Sequence, residues 1–278
     1  MSDDKIPLAG VIGYPITHSK SPVVHGHWLR QYGLAGHYVP MHVLPRDLRD
    51  CLVTLPRLGF VGVNVTIPHK EAALGLADRV SDRAALIGAA NTLSFREDGS
   101  IHADNTDGYG FTQNIRDHAP DWSPVDAPVA LFGAGGAARA VVVALLDLGV
   151  TEIRITNRTR SRATALQAEF GSKIKVTDWN AAQDIVAGAG TIINSTSLGM
   201  AGKSEFNIPL DKIRVGAIAT DLVYTPLRTP FLEAAEAQGA KVIDGLGMLL
   251  HQAAPAFERW FGKRPEVTAE LRDEVLKL

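Results

Sequence analysis

The stretch Gly133-Ala134-Gly135-Gly136-Ala137-Ala138 decides how this chain folds. It fits the pattern G-x-G-x-x-G/A, follows the apolar run 129–132 and opens the apolar segment 136–148. A strand, a glycine loop and a helix in that order let the backbone turn sharply and approach a pyrophosphate, which then rests on the helix N-terminus. The glycines alone are weak evidence, and the surrounding strand–loop–helix–strand pattern is what marks a dinucleotide loop. The next strand, predicted over 152–156, selects the dinucleotide. It ends in Asn157-Arg158-Thr159-Arg160-Ser161-Arg162, where an NAD site carries Asp or Glu for the ribose 2′-OH. No acid is present there, and three arginines crowd the place of a 2′-phosphate, which they pair through charge-assisted, often bidentate bonds. Positive charge at a helix start opposes the helix dipole, so its presence favours an anion partner. The expected cofactor is NADP.

Working outward, strands are predicted over 173–176, 191–195, 217–222 and 241–244, with a helix over 161–170. Such alternation implies a parallel sheet covered on both faces. Two helices, 247–261 and 268–278, close the sequence. Upstream, residues 119–128 hold three prolines, which interrupt helix and sheet alike and mark a boundary. Before it, strands over 8–13, 37–43 and 61–66 alternate with helical sequence. Ser21-Pro22 reads as an N-cap and first helical residue, with Gly33 as the stop. Strands over 92–95 and 101–105 flank the hairpin turn Glu97-Asp98-Gly99-Ser100, and a helix over 107–118 leads to the boundary.

The 278 residues carry 28 Lys and Arg against 30 Asp and Glu, a net charge of −2 that argues against a general nucleic-acid binder. Apolar residues at 46 % suffice for proper cores. The longest strongly apolar run, 140–146, is far short of the ~20 residues that span a bilayer. Met1-Ser2-Asp3-Asp4-Lys5 has acid where a secretory leader has base. Cys51 stands alone, so neither an intrachain disulfide nor a cysteine metal cluster is expected, and no metal site is predicted. These features point to a protein of the cytoplasm.

The first half concentrates small polar residues in bursts: His18-Ser19-Lys20-Ser21-Pro22, Asn64-Val65-Thr66-Ile67-Pro68-His69-Lys70, Asn91-Thr92 and Asp104-Asn105-Thr106-Asp107-Gly108. Hydroxyls, amides, one lysine and one aspartate suit a polyhydroxylated, acidic small molecule. Ser21 and Asp107 taken singly read as N-caps. Four bursts at strand ends exceed what capping explains, because ligands of open α/β sheets bind at the carboxyl ends of strands.

Together with Gly88-Ala89-Ala90-Asn91-Thr92, Asn105-Thr106-Asp107-Gly108, Asn194-Ser195-Thr196-Ser197-Leu198-Gly199-Met200 and Gly245-Leu246-Gly247-Met248-Leu249, these stretches make the chain resemble the shikimate dehydrogenases over nearly its whole length. The resemblance implies an α/β protein of two domains. One is a discontinuous substrate-binding domain over 1–107 plus 245–278. The other, over 108–244, is a Rossmann-type, doubly wound parallel-sheet domain for NADP. It implies NADPH-dependent, reversible reduction of 3-dehydroshikimate to shikimate, toward chorismate and the aromatic amino acids. Lys70 and Asp107 match the family's catalytic pair. Ser19 and Ser21, with Tyr224, match carboxylate-binding positions, and Thr66, Asn91, Asp107 and Gln252 match positions for ring hydroxyls. Gly133, Ala134, Gly135, Gly136 and Ala137 form the pyrophosphate loop, and Asn157, Arg158, Thr159 and Arg162 the adenosine-phosphate cluster. Thr196, Leu222, Gly245 and Met248 match the nicotinamide end, and Asp82 a weaker cofactor-side position.

Gly26 departs from the Asn common after the first-helix histidine, and His69 stands where some relatives carry an aromatic residue. His69 and His251 adjoin Lys70 and Gln252 and read as packing or surface residues. In the implied chemistry Lys70 serves the ketone oxygen and Asp107 orients it. Domain closure is expected, with hinges near 106–110 and 245–247. The implied partner is a small molecule, with no nucleic acid and no membrane, and the assembly a monomer or homodimer. The rival readings are a quinate or quinate/shikimate dehydrogenase using NAD(P), often NAD, which favours a roomier residue than Ser21; a non-catalytic NADP-binding sensor, which would lose Lys70 or Asp107; and a folate-type or other two-domain Rossmann dehydrogenase, which would lack the His18-Ser19-Lys20-Ser21-Pro22 burst.

Overall fold

The computed structural model describes residues 6–277. The Met1–Lys5 stretch and Leu278, the end predicted for the last helix, lie outside the described residues. The chain divides into two compact units. One holds the residues up to Gly110 together with those from Leu249 onward, and the other is Phe111–Met248. The crossings fall inside helices, at 110/111 and 248/249, a few residues beyond the positions expected from sequence, 107/108 and 244/245.

The first unit runs β1 (Leu8–Gly13), α1 (Ser21–Gln31), β2 (His37–His42), α2 (Leu48–Thr54), β3 (Phe60–Val65), α3 (Lys70–Gly75), β4 (Arg79–Val80), α4 (Asp82–Ile87), β5 (Thr92–Phe95), β6 (Ile101–Asp104) and the start of α5 (Asp107–His118). Its mixed sheet has the order β2-β1-β3-β5-β6-β4. β1 lies parallel to β2 and β3, β5 antiparallel to β3 and β6, and β4 parallel to β6. The predicted hairpin turn joins β5 to β6, with Gly99 at φ +83°, a conformation glycine adopts without strain. Alternation along the strands splits the core in two. Ile12, Val63, Val65 and Leu93 pack with Leu48 and Leu52, whereas Ala9, Val11 and Tyr38 pack with Ala256 and Trp260. Gly62 is required by that second face. A Cβ there would lie 2.0 Å from Trp260 Nε1, which donates to the Leu93 carbonyl at 3.2 Å.

The second unit continues with β7 (Val129–Phe132), α6 (Gly136–Asp147), β8 (Ile153–Thr156), α7 (Arg160–Phe170), β9 (Ile174–Thr177), β10 (Thr191–Asn194), β11 (Ile218–Asp221), α8 (Pro230–Ala237) and β12 (Lys241–Ile243). α9 (Leu246–Phe261) carries the chain back, and α10 (Ala269–Leu276) follows. Every strand pairing here is parallel, in the order β12-β11-β10-β7-β8-β9. The strand order reverses between β7 and β10, the switch point where doubly wound sheets bind ligands. Val129 and Leu131 face one core with Val141 and Ile155, and Ala130 and Phe132 face the other with Ile192 and Phe231. Burial on both faces explains why β7 is apolar throughout.

Two local expectations are corrected, since Asp107 is the first helical residue of α5 and not its N-cap, the carbonyl of Thr106 accepting from Gly110 N at 3.0 Å. Ser21 is the first helical residue of α1, not its N-cap. Lys20 takes the cap position in αR geometry, and no side chain caps the helix. Lys20 instead donates from Nζ to the Val275 carbonyl at 3.0 Å, at the end of α10. His27 Nδ1 lies 2.7 Å from Glu274 Oε2, and Arg30 pairs with the same carboxylate. The Ser21 hydroxyl is therefore not spent on the helix end.

Candidate active site

The sheet of the first unit brings the four polar bursts to one end. β1, β3 and β6 all point their carboxyl ends there, and β5, antiparallel to β3 and β6, starts there. The β1 and β3 ends touch: Tyr14 N donates to the Ile67 carbonyl at 3.0 Å, and a Cβ on Gly13 would lie 2.6 Å from Thr66 Cγ2. Ser19 and Ser21 follow β1, and Ser19 Oγ accepts from Ser21 N at 3.4 Å. Thr66, half-buried, follows β3, and Lys70 opens α3.

Lys70 Nζ donates to Asp107 Oδ2 at 2.5 Å, and Asp107 is buried at the first turn of α5. The other carboxylate oxygen, Oδ1, accepts from Asn91 Nδ2 at 2.8 Å. The same amide lies 2.9 Å from Thr106 Oγ1 and 3.0 Å from Gln252 Oε1, so two N–H groups serve three oxygens. Thr106 Oγ1 donates to the Gln252 carbonyl at 2.8 Å, which fixes α9 against the β6 end. Behind Asn91, Asn64 donates to its carbonyl at 3.1 Å and to Thr92 Oγ1 at 3.2 Å, and Tyr38 OH donates to Asn64 Oδ1 at 2.8 Å. His25 stacks on Tyr38 with ring centroids 3.9 Å apart. Burial pushes its pKa down to about 3 against the raising effect of Asn64, so it is a neutral packing residue. Burial likewise pushes the Tyr38 phenol well up, which keeps it a donor.

Three of the four bursts thus meet at Lys70, Asp107 and Asn91, where Gln252 joins them. Thr106 joins them although sequence reasoning gave it no role; its place in the Asn105-Thr106-Asp107 burst was the available signal. Tyr38 and His25 support the site from behind, and nothing in the pattern of β2 or α1 announces them. His69 is a packing residue as expected: it is buried, with Nε2 2.8 Å from the Val43 carbonyl. Asp82 sits exposed in the first turn of α4, in the first unit. Every other cofactor candidate lies in the second unit. Tyr224 also belongs to the second unit, half-buried in the turn after β11, and burial pushes its phenol pKa up.

In the second unit the glycine loop leaves β7 at Gly133, whose φ of +107° suits glycine and where a Cβ would lie 2.5 Å from Ser195 Oγ. A Cβ on Gly135 would meet open space, the condition for a phosphate to approach the backbone at the α6 N-terminus. Asn157 ties this loop to the next: its Oδ1 accepts from Ala134 N at 3.2 Å and its Nδ2 donates to the Thr159 carbonyl at 2.8 Å. The three arginines separate in role. Arg160 is committed to Asp178, whereas Arg158 and Arg162 stand exposed without an ion pair among the described residues. Two unspent cations beside an acid-free helix start fit a 2′-phosphate.

Thr196, Leu222, Gly245 and Met248 all follow the carboxyl ends of β10, β11 and β12. Thr196 N and Oγ1 donate to Asn194 Oδ1 at 3.1 and 2.7 Å, and Leu222 N donates to the Asn194 carbonyl at 2.9 Å. Gly245 backs them closely, since a Cβ there would lie 2.7 Å from the carbonyls of Asp221 and Val223. No described helix is long and apolar enough to cross a membrane.

Three family models match the chain. Residues 11–93 match the shikimate dehydrogenase substrate binding domain, residues 120–201 the shikimate / quinate 5-dehydrogenase model, and residues 245–272 the shikimate 5′-dehydrogenase C-terminal domain. A shikimate dehydrogenase (NADP(+)) of Cereibacter sphaeroides is 63 % identical over 272 residues, covering 98 % of each chain. Among solved structures, the Thermus thermophilus shikimate 5-dehydrogenase in complex with NADP(H) and shikimate superposes with a TM-score of 0.87 at 36 % identity, covering 97 % of this chain and 98 % of that one. The Corynebacterium glutamicum quinate dehydrogenase in complex with NAD reaches 0.85 at 32 % identity, covering 98 % and 99 %. Fold therefore does not separate the two substrates, but sequence identity over full length does place the protein: the chain belongs to the shikimate dehydrogenase family.

Proposed function

We propose that the chain is an NADP-dependent shikimate dehydrogenase that reversibly reduces 3-dehydroshikimate to shikimate, a step toward chorismate and the aromatic amino acids. The observation that carries this reading is the Lys70–Asp107 pair, held by Asn91 and Gln252 among hydroxyl and amide groups suited to a polyol ring. The exposed Arg158 and Arg162 support NADP. Ser19, Ser21 and Tyr224 bind the carboxylate. Thr66, Asn91, Asp107 and Gln252 hold the ring hydroxyls. The enzyme works in the cytoplasm as a monomer or homodimer.

When bound, NADPH supplies the hydride for the ketone carbon. Lys70, as an ammonium, stabilises the negative charge that develops on the ketone oxygen and gives that oxygen its proton; in oxidation it takes the proton back. Asp107 accepts from Lys70 through one oxygen and from Asn91 through the other, so the ammonium is aimed before substrate arrives. The glycine loop, Asn157, Thr159, Arg158 and Arg162 hold the phosphates. Ser21, smaller than Thr, favours shikimate over quinate.

A spectrophotometric oxidation assay crossing shikimate and quinate with NADP and NAD tests the proposal. Fastest turnover with shikimate and NADP is expected. Activity with quinate and NAD alone would replace the reading with the quinate one, and inactivity with every pair would leave a sensor.

A further inference from the structure

Asp221, the last residue of β11, is fully buried and takes no part in the chemistry above. Its carboxylate accepts three hydrogen bonds from three separate segments. Asn194 Nδ2 and Val223 N reach Oδ1 at 3.0 and 2.9 Å, and Thr229 Oγ1 reaches Oδ2 at 2.6 Å. Asn194 ends β10 and turns its own Oδ1 to Thr196. Val223 lies in the turn between Leu222 and Tyr224, and Thr229 caps α8 by accepting from Leu232 N at 3.3 Å. No cation pairs with Asp221 among the described residues, and burial opposes its charge. An apolar residue would fill this space without that cost, but it would leave three donors unmet.

We infer that Asp221 is a positioning residue that fixes, through Asn194 and the backbone of Val223, both loops on which the nicotinamide end of NADP rests. The inference depends on the proposed function for one point only, that Thr196 and Leu222 meet that end of the cofactor. The Gly245 contact makes the arrangement stiff, because the 221–223 backbone has no room to drift toward β12. The 2′-phosphate cluster on β8 and α7 shares no hydrogen bond with Asp221, so the two ends of the cofactor are held by separate devices.

Calorimetric titration of the full chain with NADP, and separately with 2′,5′-ADP, which lacks the nicotinamide half, tests the inference. Asp221→Ala should raise the NADP Kd about tenfold and leave the 2′,5′-ADP Kd within twofold. Asp221→Asn should bind NADP within threefold of the parent, because an amide keeps Oδ1 as acceptor and donates to the Thr229 hydroxyl. Asn194→Ala, which keeps the carboxylate but removes the side chain that links it to Thr196, should raise the NADP Kd in the same direction and serves if the Asp221→Ala chain does not fold. An NADP Kd unchanged in Asn194→Ala or in folded Asp221→Ala, or an equal loss for both ligands, overturns the inference. A parent chain that binds 2′,5′-ADP but not NADP also overturns it, while one that binds neither overturns the proposed function first.

Discussion

The two units prepare for their ligands in opposite ways. In the first, the candidate site is wired before substrate arrives: Lys70, Asp107, Asn91, Thr106 and Gln252 bond to one another, and a second layer of Asn64 and Tyr38 holds Asn91 from behind. In the second, the loop contacts are mostly to backbone, and the strongest charges, Arg158 and Arg162, are left unspent on the surface. The difference follows from what each ligand brings. The ring hydroxyls of the first ligand are uncharged and gain from donors and acceptors already aimed at them, since a loosely held amide would lose its advantage to water. A phosphate brings its own charge, and mobile guanidinium groups find it without prior ordering.

The comparison can be broken at its strongest point by Lys70→Ala, which should lower kcat by about two to four orders of magnitude with a smaller change in shikimate KM. Near-unchanged turnover in steady-state assays would remove the wired pair from the chemistry. Next comes a buried charge in the second unit. Burial raises the Asp221 pKa to about 6 from the ordinary carboxylate range, so the folded chain holds that proton more tightly than the unfolded one. Its contribution to stability is therefore fully present below about pH 4 and is lost as pH rises through about 6, a swing of about 3 kcal/mol. Urea denaturation of the parent and Asp221→Asn should show the variant gaining relative stability across that window, and parallel curves would refute it.

The remaining tests sharpen the contrast between spent and unspent charge. Arg158→Ala with Arg162→Ala should weaken NADP binding by roughly 10- to 100-fold and leave NAD nearly unchanged, read by titration with each dinucleotide. Arg160→Ala, whose side chain is already engaged by exposed Asp178, should change NADP affinity by less than about threefold. If Arg160 proved as important as its neighbours, the division of labour among the three arginines would fail.

How much of this was legible in sequence depends on the distance over which each feature is decided. β1, β5, α5 and β7 were readable to the residue because alternation, turn glycines and prolines act locally. β4, with only two residues, carries no period to detect. Ser21 was misread as a cap because Ser-Pro is a local signal, whereas its displacement depends on Lys20 reaching Val275 at the far end of the chain. The Lys70–Asp107 pair spans 37 positions and forms through the β3-β5-β6 register, which polar bursts suggest but do not specify. The run of arginines alone does not set Arg160 apart from Arg158 and Arg162, although the family resemblance leaves it out of the phosphate cluster; its partner Asp178 lies on another segment. Asp221 carries no local signal in the sequence, since its donors come from separate segments that only the fold brings together.

The discontinuity of the first unit has a consequence in time. A chain made from its N-terminus exposes β1 to β6 first, yet Gly62 and the Leu93 carbonyl wait for Trp260, Asn91 for Gln252, and Asp104 for Arg259. The whole of Phe111–Met248 emerges in between, as one continuous segment able to settle on its own. The unit that carries Lys70 and Asp107 is thus begun first and finished last, and an interrupted synthesis leaves a dinucleotide fold and an unfinished sheet.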